Sequence, residues 1–166
     1  MTLAKYRAKR NFRKSPEPKG GKGGRGLIFV VQKHYASHLH YDVRLQHKGA
    51  LVSWAVPKGP PRTAGIKRLA IHVEDHPLDY ARFEGVIPKG NYGAGKVEIW
   101  DKGTYLSSDT ASRAESEKRF AEGMKKGHIA VVLQGKKLKG QYDLIRLKRG
   151  PKDNAWLLIK RASKKS

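Results

Sequence analysis

The sequence predicts a mainly β protein, a compact closed or nearly closed antiparallel β-barrel of about eight strands with one short helix. Three observations lead to this fold class. Short apolar or alternating segments recur along the chain, turn residues separate them, and a single longer segment has helical periodicity. Many short strands without helices between them are typical of antiparallel barrels.

The predicted strands follow one another between residues 27 and 160. Leu27–Lys33 is apolar and rich in residues that favour strands, and His40–Gln46 alternates between apolar and polar residues. The pair Lys48 and Gly49 supplies a turn into Ala50–Val56, which predicts a hairpin. The remaining predicted strands are Arg68–Glu74, Lys96–Trp100, His128–Leu133, Gln141–Leu147 and Trp156–Lys160.

One helix is predicted over Ser112–Lys126. Ser112 and Glu115 have the spacing of a capping box, and Phe120 begins an apolar face. Gly127 is a suitable C-terminal stop because glycine adopts the left-handed conformation that ends many helices. We expect this helix to plug or cover the barrel without taking part in chemistry.

The composition excludes several classes of protein. The chain has 36 Lys and Arg against 14 Asp and Glu, a net charge of +22, and no cysteine. Disulfide scaffolds, Cys-ligated zinc sites and cysteine nucleophiles are therefore excluded. The apolar runs are too short to cross a bilayer, and the basic N-terminus lacks the apolar stretch of a secretory signal. We expect a soluble cytoplasmic protein with a polyanionic partner and no membrane partner.

The charge is concentrated at the two ends of the chain. Residues 1–26 carry a net charge of +8, residues 146–166 carry +7, and the part between them carries the remaining +7. We divide the chain into a basic arm (1–26), a barrel domain (27–160) and a basic tail (161–166). The Pro- and Gly-rich composition of the arm predicts an extended or mobile segment. Such ends suit either a solubilising tail or a nucleic-acid enzyme.

The segment that carries chemistry lies around the second predicted strand. His40, Asp42 and Arg44 alternate along it and share one face, while the residues between them face the core. His34, six residues upstream, can fold back as a third ligand. Two imidazoles and a carboxylate suit Mn, Fe or Zn. A guanidinium beside a metal is expected where both bind the same anion, and this arrangement suits a phosphate ester. The same strip could instead be a solvated face that carries an ion pair.

Other polar groups are predicted in loops or at the surface. A rigid turn after the third strand presents Lys58, and the loop that follows the fourth presents His76 and Tyr80. The glycine-rich run 90–96 lacks the spacing of a phosphate loop and predicts a turn instead. Four further histidines are expected to be structural or exposed, namely His38, His47, His72 and His128.

Four segments, in the same order along the chain as in a known family, carry a resemblance to that family. They are QKHYASHLHYDVRL, SWAVPKGP, KRLAIHVEDHPLDYARFEG and IPKGNYGAGKVEIWDKGTY, which begin at residues 32, 53, 67 and 87. They resemble the 3′-phosphoesterase domain of bacterial ligase D, and the similarity runs from about Leu3 to Lys160. Because no polymerase or ligase module is recognised, we expect a free-standing form of this domain.

The resemblance implies a β-barrel enzyme that heals DNA ends in non-homologous end joining. It implies a manganese-dependent reaction, with other divalent transition metals as alternatives, in which a 3′-terminal ribonucleoside and then the 3′-phosphate are removed. The metal ligands would be His34, His40 and Asp42. The implied partners are a DNA primer–template and separate ligase, polymerase and Ku-type proteins, in a bacterial or archaeal cytoplasm and at its nucleoid.

The resemblance also implies a set of residues that contact the phosphate. In the body of the chain they are Arg44, Ser53, Lys58, Arg68, His76 and Tyr80, and in the arm they are Arg10 and Glu17. We expect residues near 9–18 to pack over the site and His76 to deliver a proton. Asn11 stands where the multidomain enzymes usually have Asp, which calls into question any step that needs that carboxylate.

Two other function classes fit parts of the pattern. His40, Asp42 and His76 could form the facial triad of a non-haem iron oxygenase, although Arg44 and the basic surface argue against it. The chain could also be a nonenzymatic protein that binds DNA ends.

Overall fold

The structure is a computed structural model that describes residues 3–9, 27–148 and 154–162. Strands account for most of the described chain. The described residues form a short helix α1 (Ala4–Ala8), a longer helix α2 (Arg113–Lys126), a 3₁₀ turn (Leu78–Arg82) and nine strands: β1 (Ile28–Tyr35), β2 (Leu39–His47), β3 (Ala50–Val56), β4 (Lys67–Pro77), β5 (Gly85–Ile87), β6 (Gly95–Ser107), β7 (His128–Gly135), β8 (Lys139–Arg146) and β9 (Ala155–Lys160).

Eight of the strands close into an antiparallel barrel. Neighbours follow the order β1-β2-β3-β4-β9-β8-β7-β6, and the pairing of β6 with β1 completes the ring. The short β5 pairs with β6 alone and stands outside the ring. The structure therefore confirms the predicted fold class, and each predicted strand lies within or largely overlaps one strand of the barrel.

Three short elements were not predicted, because none is long enough to reveal a period in the sequence. They are α1, the 3₁₀ turn and β5. The helix α1 lies in the arm that composition predicts as extended or mobile, and its Tyr6 is fully buried. His76 was predicted in a loop but lies within β4, where the pairing with β3 shifts register between Leu51 and Ser53. This bulge breaks the alternation on which the sequence prediction relied.

The barrel interior holds the larger of two apolar clusters. It draws residues from all eight strands of the ring and includes the fully buried rings of Phe29, Trp54, Tyr105, Phe120, Tyr142 and Trp156. Phe120 comes from α2 and packs against Trp54, Tyr105 and His47, so α2 closes one end of the barrel. Among the described residues, no helix has the length and apolar character needed to span a membrane.

The ends of α2 follow the sequence prediction. The Ser112 side chain accepts a hydrogen bond from the Glu115 backbone N–H at 3.2 Å, and Gly127 adopts a left-handed φ of 84°. These contacts satisfy a backbone donor at the start of the helix and permit the turn at its end.

A second apolar cluster lies on the outer face of the barrel. Side chains alternate along a strand, so Val30 and Leu51 point away from the interior that Val31 and Val52 occupy. The rest of the cluster comes from elements that cover this face, in particular Tyr6 of α1 and Leu78, Tyr80, Ala81, Phe83 and Ile87. This covered outer face contains the polar strip of β2.

Asp75, in β4, is expected to lower the stability of the protein at neutral pH. Its carboxyl is buried, and burial, with the nearby Glu74 charge, raises its pKa to about 6. The folded state therefore binds more protons than the unfolded state between about pH 4 and 6, so stability falls as pH rises through this window. We expect Asp75→Asn to raise the free energy of unfolding at pH 7 by about 1 to 3 kcal/mol. Urea unfolding at pH 4.5 and pH 7 measures this, and a variant less stable than wild type at pH 7 would contradict it.

Candidate metal centre and active site

The β1–β2 hairpin brings two histidines and an aspartate together. His34 and His40 are paired directly across the two strands, and Asp42 follows two residues later on the same face. The Nδ1 atom of His34 lies 3.2 Å from Nε2 of His40 and 3.7 Å from Oδ2 of Asp42. The Nε2 atom of His40 lies 3.2 Å from Oδ1 of Asp42. One ligand atom from each residue therefore lies within 4.8 Å of the other two.

Backbone carbonyls set the tautomers of the two imidazoles. The Nε2 atom of His34 lies 2.7 Å from the Gly93 carbonyl, and Nδ1 of His40 lies 3.1 Å from the His38 carbonyl. A carbonyl only accepts hydrogen bonds, so these outer nitrogens carry the protons. In the neutral rings the inner nitrogens then present lone pairs to one another and to the Asp42 carboxylate, and protonation of His40 makes its Nε2 a hydrogen-bond donor to Asp42. This is the arrangement that outer hydrogen bonds give to metal-binding histidines.

The charges around the group favour an ionised carboxylate. Burial disfavours the charged form of Asp42, but the Arg44 guanidinium and the His40 hydrogen bond lower its pKa below the usual value. Burial lowers the pKa of His34, which favours the neutral ring. For His40, burial acts in the same direction, but the hydrogen bond to Asp42 outweighs it and raises the pKa. Three electron-pair donors facing one another are stabilised when a cation lies between them.

These donors fit a divalent transition metal. Two imidazole nitrogens and a carboxylate are the ligand types expected for Mn, Fe or Zn. Within the described residues, His34, His40 and Asp42 form the group with this potential. His76 does not belong to the group, so the structure does not assemble the triad of the iron-oxygenase alternative.

Arg44 lies next to this group with its guanidinium held from several sides. Its Nε donates to Oε1 of Gln32 at 2.6 Å, and Nη1 donates to Oγ of Ser53 at 2.9 Å. Its Nη2 lies 3.4 Å from Oδ2 of Asp42, and its Cζ lies 4.8 Å from the centre of the Tyr80 ring. A buried guanidinium with this many contacts has one fixed orientation, which suits it to bind an oxyanion at a defined place.

Gln32 is a site residue that sequence reasoning missed. Its side chain is fully buried and donates from Nε2 to the carbonyls of Tyr80, at 2.6 Å, and Phe83, at 3.1 Å. Gln32 therefore ties Arg44 to the 3₁₀ turn. The signal in the sequence was a glutamine directly after the apolar run that ends at Val31, because a polar side chain in a buried strand needs partners.

A pocket of about 250 Å³ opens beside the three donors and Arg44. His76 and Tyr80 also line it, with ring centres 4.7 Å apart. Tyr6 of α1 packs edge-on against both rings, at 4.8 Å from His76 and 5.9 Å from Tyr80. The Nδ1 atom of His76 lies 3.0 Å from the Glu74 carbonyl, so Nδ1 carries a proton in this contact.

Glu74 lines the pocket and is another site residue that the sequence prediction omitted. Its carboxylate accepts a hydrogen bond from the Lys9 ammonium at 3.1 Å, and Lys9 also contacts the Tyr92 hydroxyl at 3.3 Å. Glu74 and Tyr92 both line the pocket, so Lys9 connects two of its walls. The signal here was weak, since an alternating strand with a charged end has many ordinary explanations.

The sequence of the chain matches a known protein family. Residues 32–146 match the family described as the DNA Ligase D 3′-phosphoesterase domain. This match covers more than half of the chain. The chain belongs to this family.

The phosphoesterase-domain relatives are longer proteins. The chain is 50% identical to the multifunctional non-homologous end joining protein LigD of Pseudomonas aeruginosa over 162 residues, and this aligned region covers 95% of the chain. It is 48% identical over 147 residues, or 87% of the chain, to the multifunctional non-homologous end joining DNA repair protein LigD of Mycobacterium tuberculosis. The chain spans 18% of the length of each of these relatives, so the similarity concerns one part of them.

The structure places the other predicted site residues of this phosphoesterase domain at different distances from the pocket. Ser53 is buried behind Arg44, and its hydroxyl also donates to the Leu51 carbonyl at 3.1 Å. Lys58 is exposed on the turn after β3, and Arg68 donates to its carbonyl at 3.4 Å. Neither Lys58 nor Arg68 lines the pocket, so their contact with a phosphate stays a prediction. Arg10, Glu17 and Asn11 lie outside the described residues.

Proposed function

We propose that this phosphoesterase domain heals the 3′ ends of DNA primer–templates in a metal-dependent reaction. It would remove a 3′-terminal ribonucleoside as a phosphodiesterase and then the 3′-phosphate as a phosphomonoesterase, which leaves a 3′-OH for repair. The observation that carries the proposal is one pocket wall on which the His34, His40 and Asp42 donors adjoin the fixed guanidinium of Arg44. Metal-ligating donors beside a guanidinium suit a phosphate ester.

The metal would be held by His34, His40 and Asp42, and manganese is the ion that we propose. A divalent ion bound there would polarise a phosphate oxygen and neutralise charge that develops in the transition state.

The side chains of the pocket would do the remaining work. Arg44 would donate to a second phosphate oxygen, with Gln32 and Ser53 keeping its fork in place. His76 would give a proton to the leaving oxygen from Nε2, because Nδ1 already faces a carbonyl. Tyr80 would complete the wall that holds the phosphate, under the plane of Arg44.

Tyr6 would position His76 and Tyr80 rather than touch the phosphate. Its buried ring contacts both of theirs, so removal of the ring would let them move within the pocket. We expect Tyr6→Ala to lower kcat for 3′-phosphate removal by about tenfold, because small displacements of reacting groups are costly. Steady-state kinetics below the unfolding temperature measures this. Tyr6→Phe keeps the ring and should restore kcat; a kcat for Tyr6→Ala equal to wild type would contradict the role.

The setting of the reaction is proposed from the relatives. They are named for non-homologous end joining, so we propose that the chain works with separate ligase, polymerase and Ku-type proteins. The compartment would be a bacterial or archaeal cytoplasm, at the nucleoid.

One assay tests the function against its alternatives. A 5′-labelled primer–template with a 3′-ribonucleotide or a 3′-phosphate is incubated with manganese, magnesium, zinc or a chelator. We expect stepwise shortening to a 3′-OH with manganese and none with chelator. DNA binding without hydrolysis under any metal would favour an end-binding accessory, and turnover that needs iron and 2-oxoglutarate would favour an oxygenase.

A further inference from the structure

Three lysines lie over aromatic rings at the end of the barrel opposite α2. Lys33 Nζ lies 5.1 Å from the centre of the Tyr35 ring and 5.7 Å from that of Tyr41. Lys96 Nζ lies 5.6 Å from the Tyr35 ring centre. Lys137 repeats the arrangement, with its Nζ 4.6 Å from the centre of the Trp100 ring. We call these six residues the lysine–aromatic surface.

The position of this surface follows from the strands. Strand β2 begins near Tyr41 and ends at His47, whose ring packs on Phe120 of α2. Tyr41 and Trp100 contact each other edge-on, with ring centres 5.5 Å apart, and both pack against the interior cluster from its open end. Tyr35 is 38% exposed, so part of its side chain is accessible to a ligand.

The charge of the surface is positive after its acidic neighbours are counted. Glu98 accepts a hydrogen bond from the Tyr35 hydroxyl at 2.7 Å and pairs with Lys96 at 3.5 Å. It offsets one of the three lysines, and Asp101, which accepts from the Lys137 backbone N–H at 3.2 Å, offsets a second. The turn beside Tyr41 adds exposed Lys58 and Arg62, because Gly59 in this turn lies directly against the Tyr41 ring.

The surface adjoins the metal-ligand group. Tyr35 directly follows His34, and both lie at the end of β1 where the chain turns into β2. Successive side chains of a strand point to opposite faces, so the donors lie on the outer face of this hairpin and the lysine–aromatic surface lies on its other face, at the end of the barrel. A DNA strand with its terminal phosphate at the donors reaches this surface by crossing the end of the hairpin, within its last few nucleotides.

We propose that the lysine–aromatic surface binds the DNA strand that carries the reacting 3′ end, a few nucleotides before that end. The lysines contact its phosphates, and Tyr35 stacks against a base. Single-stranded nucleic acid is bound in this way by basic grooves with aromatic side chains, because every base has a face that can stack. The proposal rests on the proposed function, since it places the end of the same strand in the pocket.

The first test compares two triple variants with the same loss of charge. The surface variant lacks the three surface lysines and combines Lys33→Gln, Lys96→Gln and Lys137→Gln. The α2 variant lacks three exposed lysines of α2 and combines Lys118→Gln, Lys125→Gln and Lys126→Gln. Binding of a fluorescent primer–template with a 3′-OH end is measured in chelator at several salt concentrations. We expect the surface variant to reduce the slope of log Kd against log salt by about 2, at about 0.7 per phosphate contact. An equal effect of both variants would overturn the proposal.

A second test reports on the rings. Trp54 and Trp156 are buried inside the barrel, so a change of tryptophan emission on DNA binding reports mainly on Trp100. We expect the emission to change with DNA and the change to disappear in Trp100→Phe. Tyr35→Ala should weaken binding about tenfold and Tyr35→Phe should retain it, since stacking needs the ring alone. Unchanged emission at saturating DNA, or equal binding by Tyr35→Ala and wild type, would overturn the proposal.

A third comparison separates this proposal from the proposed function. Hydrolysis is measured on a long primer and on a dinucleotide with the same 3′ end. We expect the surface variant to lose more kcat/KM on the long primer than on the dinucleotide, and the α2 variant to lose none on either. Equal losses of kcat/KM on both substrates would overturn the proposal that this surface binds the strand. Absence of hydrolysis by wild type on both would overturn the function, while the binding tests would still report on the surface.

Discussion

His40→Ala is expected to lower metal-dependent release of phosphate from a 3′-phosphate primer by about a thousandfold. The variant removes one of the three donors, and a bound metal contributes several kcal/mol to the stabilisation of such a transition state. His40 is a suitable position because its side chain is 23% exposed, so its removal leaves a smaller defect than removal of a buried partner. The measurements are phosphate release and the affinity for Mn²⁺ followed by the signal of the free ion.

The matched control for this variant is His38→Ala. His38 is exposed and two residues away, and it contributes only its backbone carbonyl to the hydrogen bond with His40. We expect His38→Ala to keep both activity and Mn²⁺ affinity. Asp42→Asn should reproduce the loss seen with His40→Ala but also destabilise the protein, since it leaves Arg44 buried beside a neutral group. Full activity in His40→Ala would refute the ligand assignment.

The sequence predicted the strand that carries the polar side chains of the site because its signals are local. Alternation along His40–Gln46 determines which side chains share a face, and a closely following antiparallel partner brings His34 opposite His40. The helix α2 was predicted for the same reason, since its cap, its apolar face and its final glycine all lie within one short segment. Local patterns of this kind determine the eight strands of the ring and therefore the fold class.

The missing parts of the site depend on contacts between distant segments. Tyr6 meets His76 across 70 positions of the chain, and Gln32 meets the carbonyl of Tyr80 across 48. No period or motif within either segment specifies such a partner. The bulge in β4 is another long-range effect, because it is defined only by the register against β3. It moves His76 from a predicted exposed loop to a buried position on the pocket wall.

The structure shows where some of the cations behind the net charge of +22 lie, which composition could not predict. Arg44 is buried among its partners, and its charge is fixed against Asp42. Lys33, Lys96 and Lys137 instead lie at the surface over aromatic rings. Exposed cations of this kind act on a phosphate backbone through release of counterions, which depends on salt. A buried, fixed guanidinium would act on one phosphate, and its charge is screened much less by salt.

Arg44→Gln is expected to lower kcat for phosphate release by about 10² to 10³, the effect of removing one fixed donor from a developing oxyanion. Gln keeps hydrogen-bonding capacity toward Gln32 and Ser53 but lacks the charge and the fork. Metal affinity should be retained, because Arg44 is not a donor to a metal and its charge competes with a cation for Asp42.

The decisive measurement is therefore the separation of turnover from metal binding. Phosphate release and Mn²⁺ affinity are determined for Arg44→Gln, Arg44→Lys and Ser53→Ala, with urea unfolding to confirm that each variant is folded. Arg44→Lys keeps the charge but cannot reach Gln32, Ser53 and a phosphate together, so we expect it to recover only part of the activity. Ser53→Ala removes one of the contacts that orient Arg44 and should cost less than either. If Arg44→Gln lost Mn²⁺ affinity in proportion to turnover, the guanidinium would support the metal ligands rather than hold the phosphate.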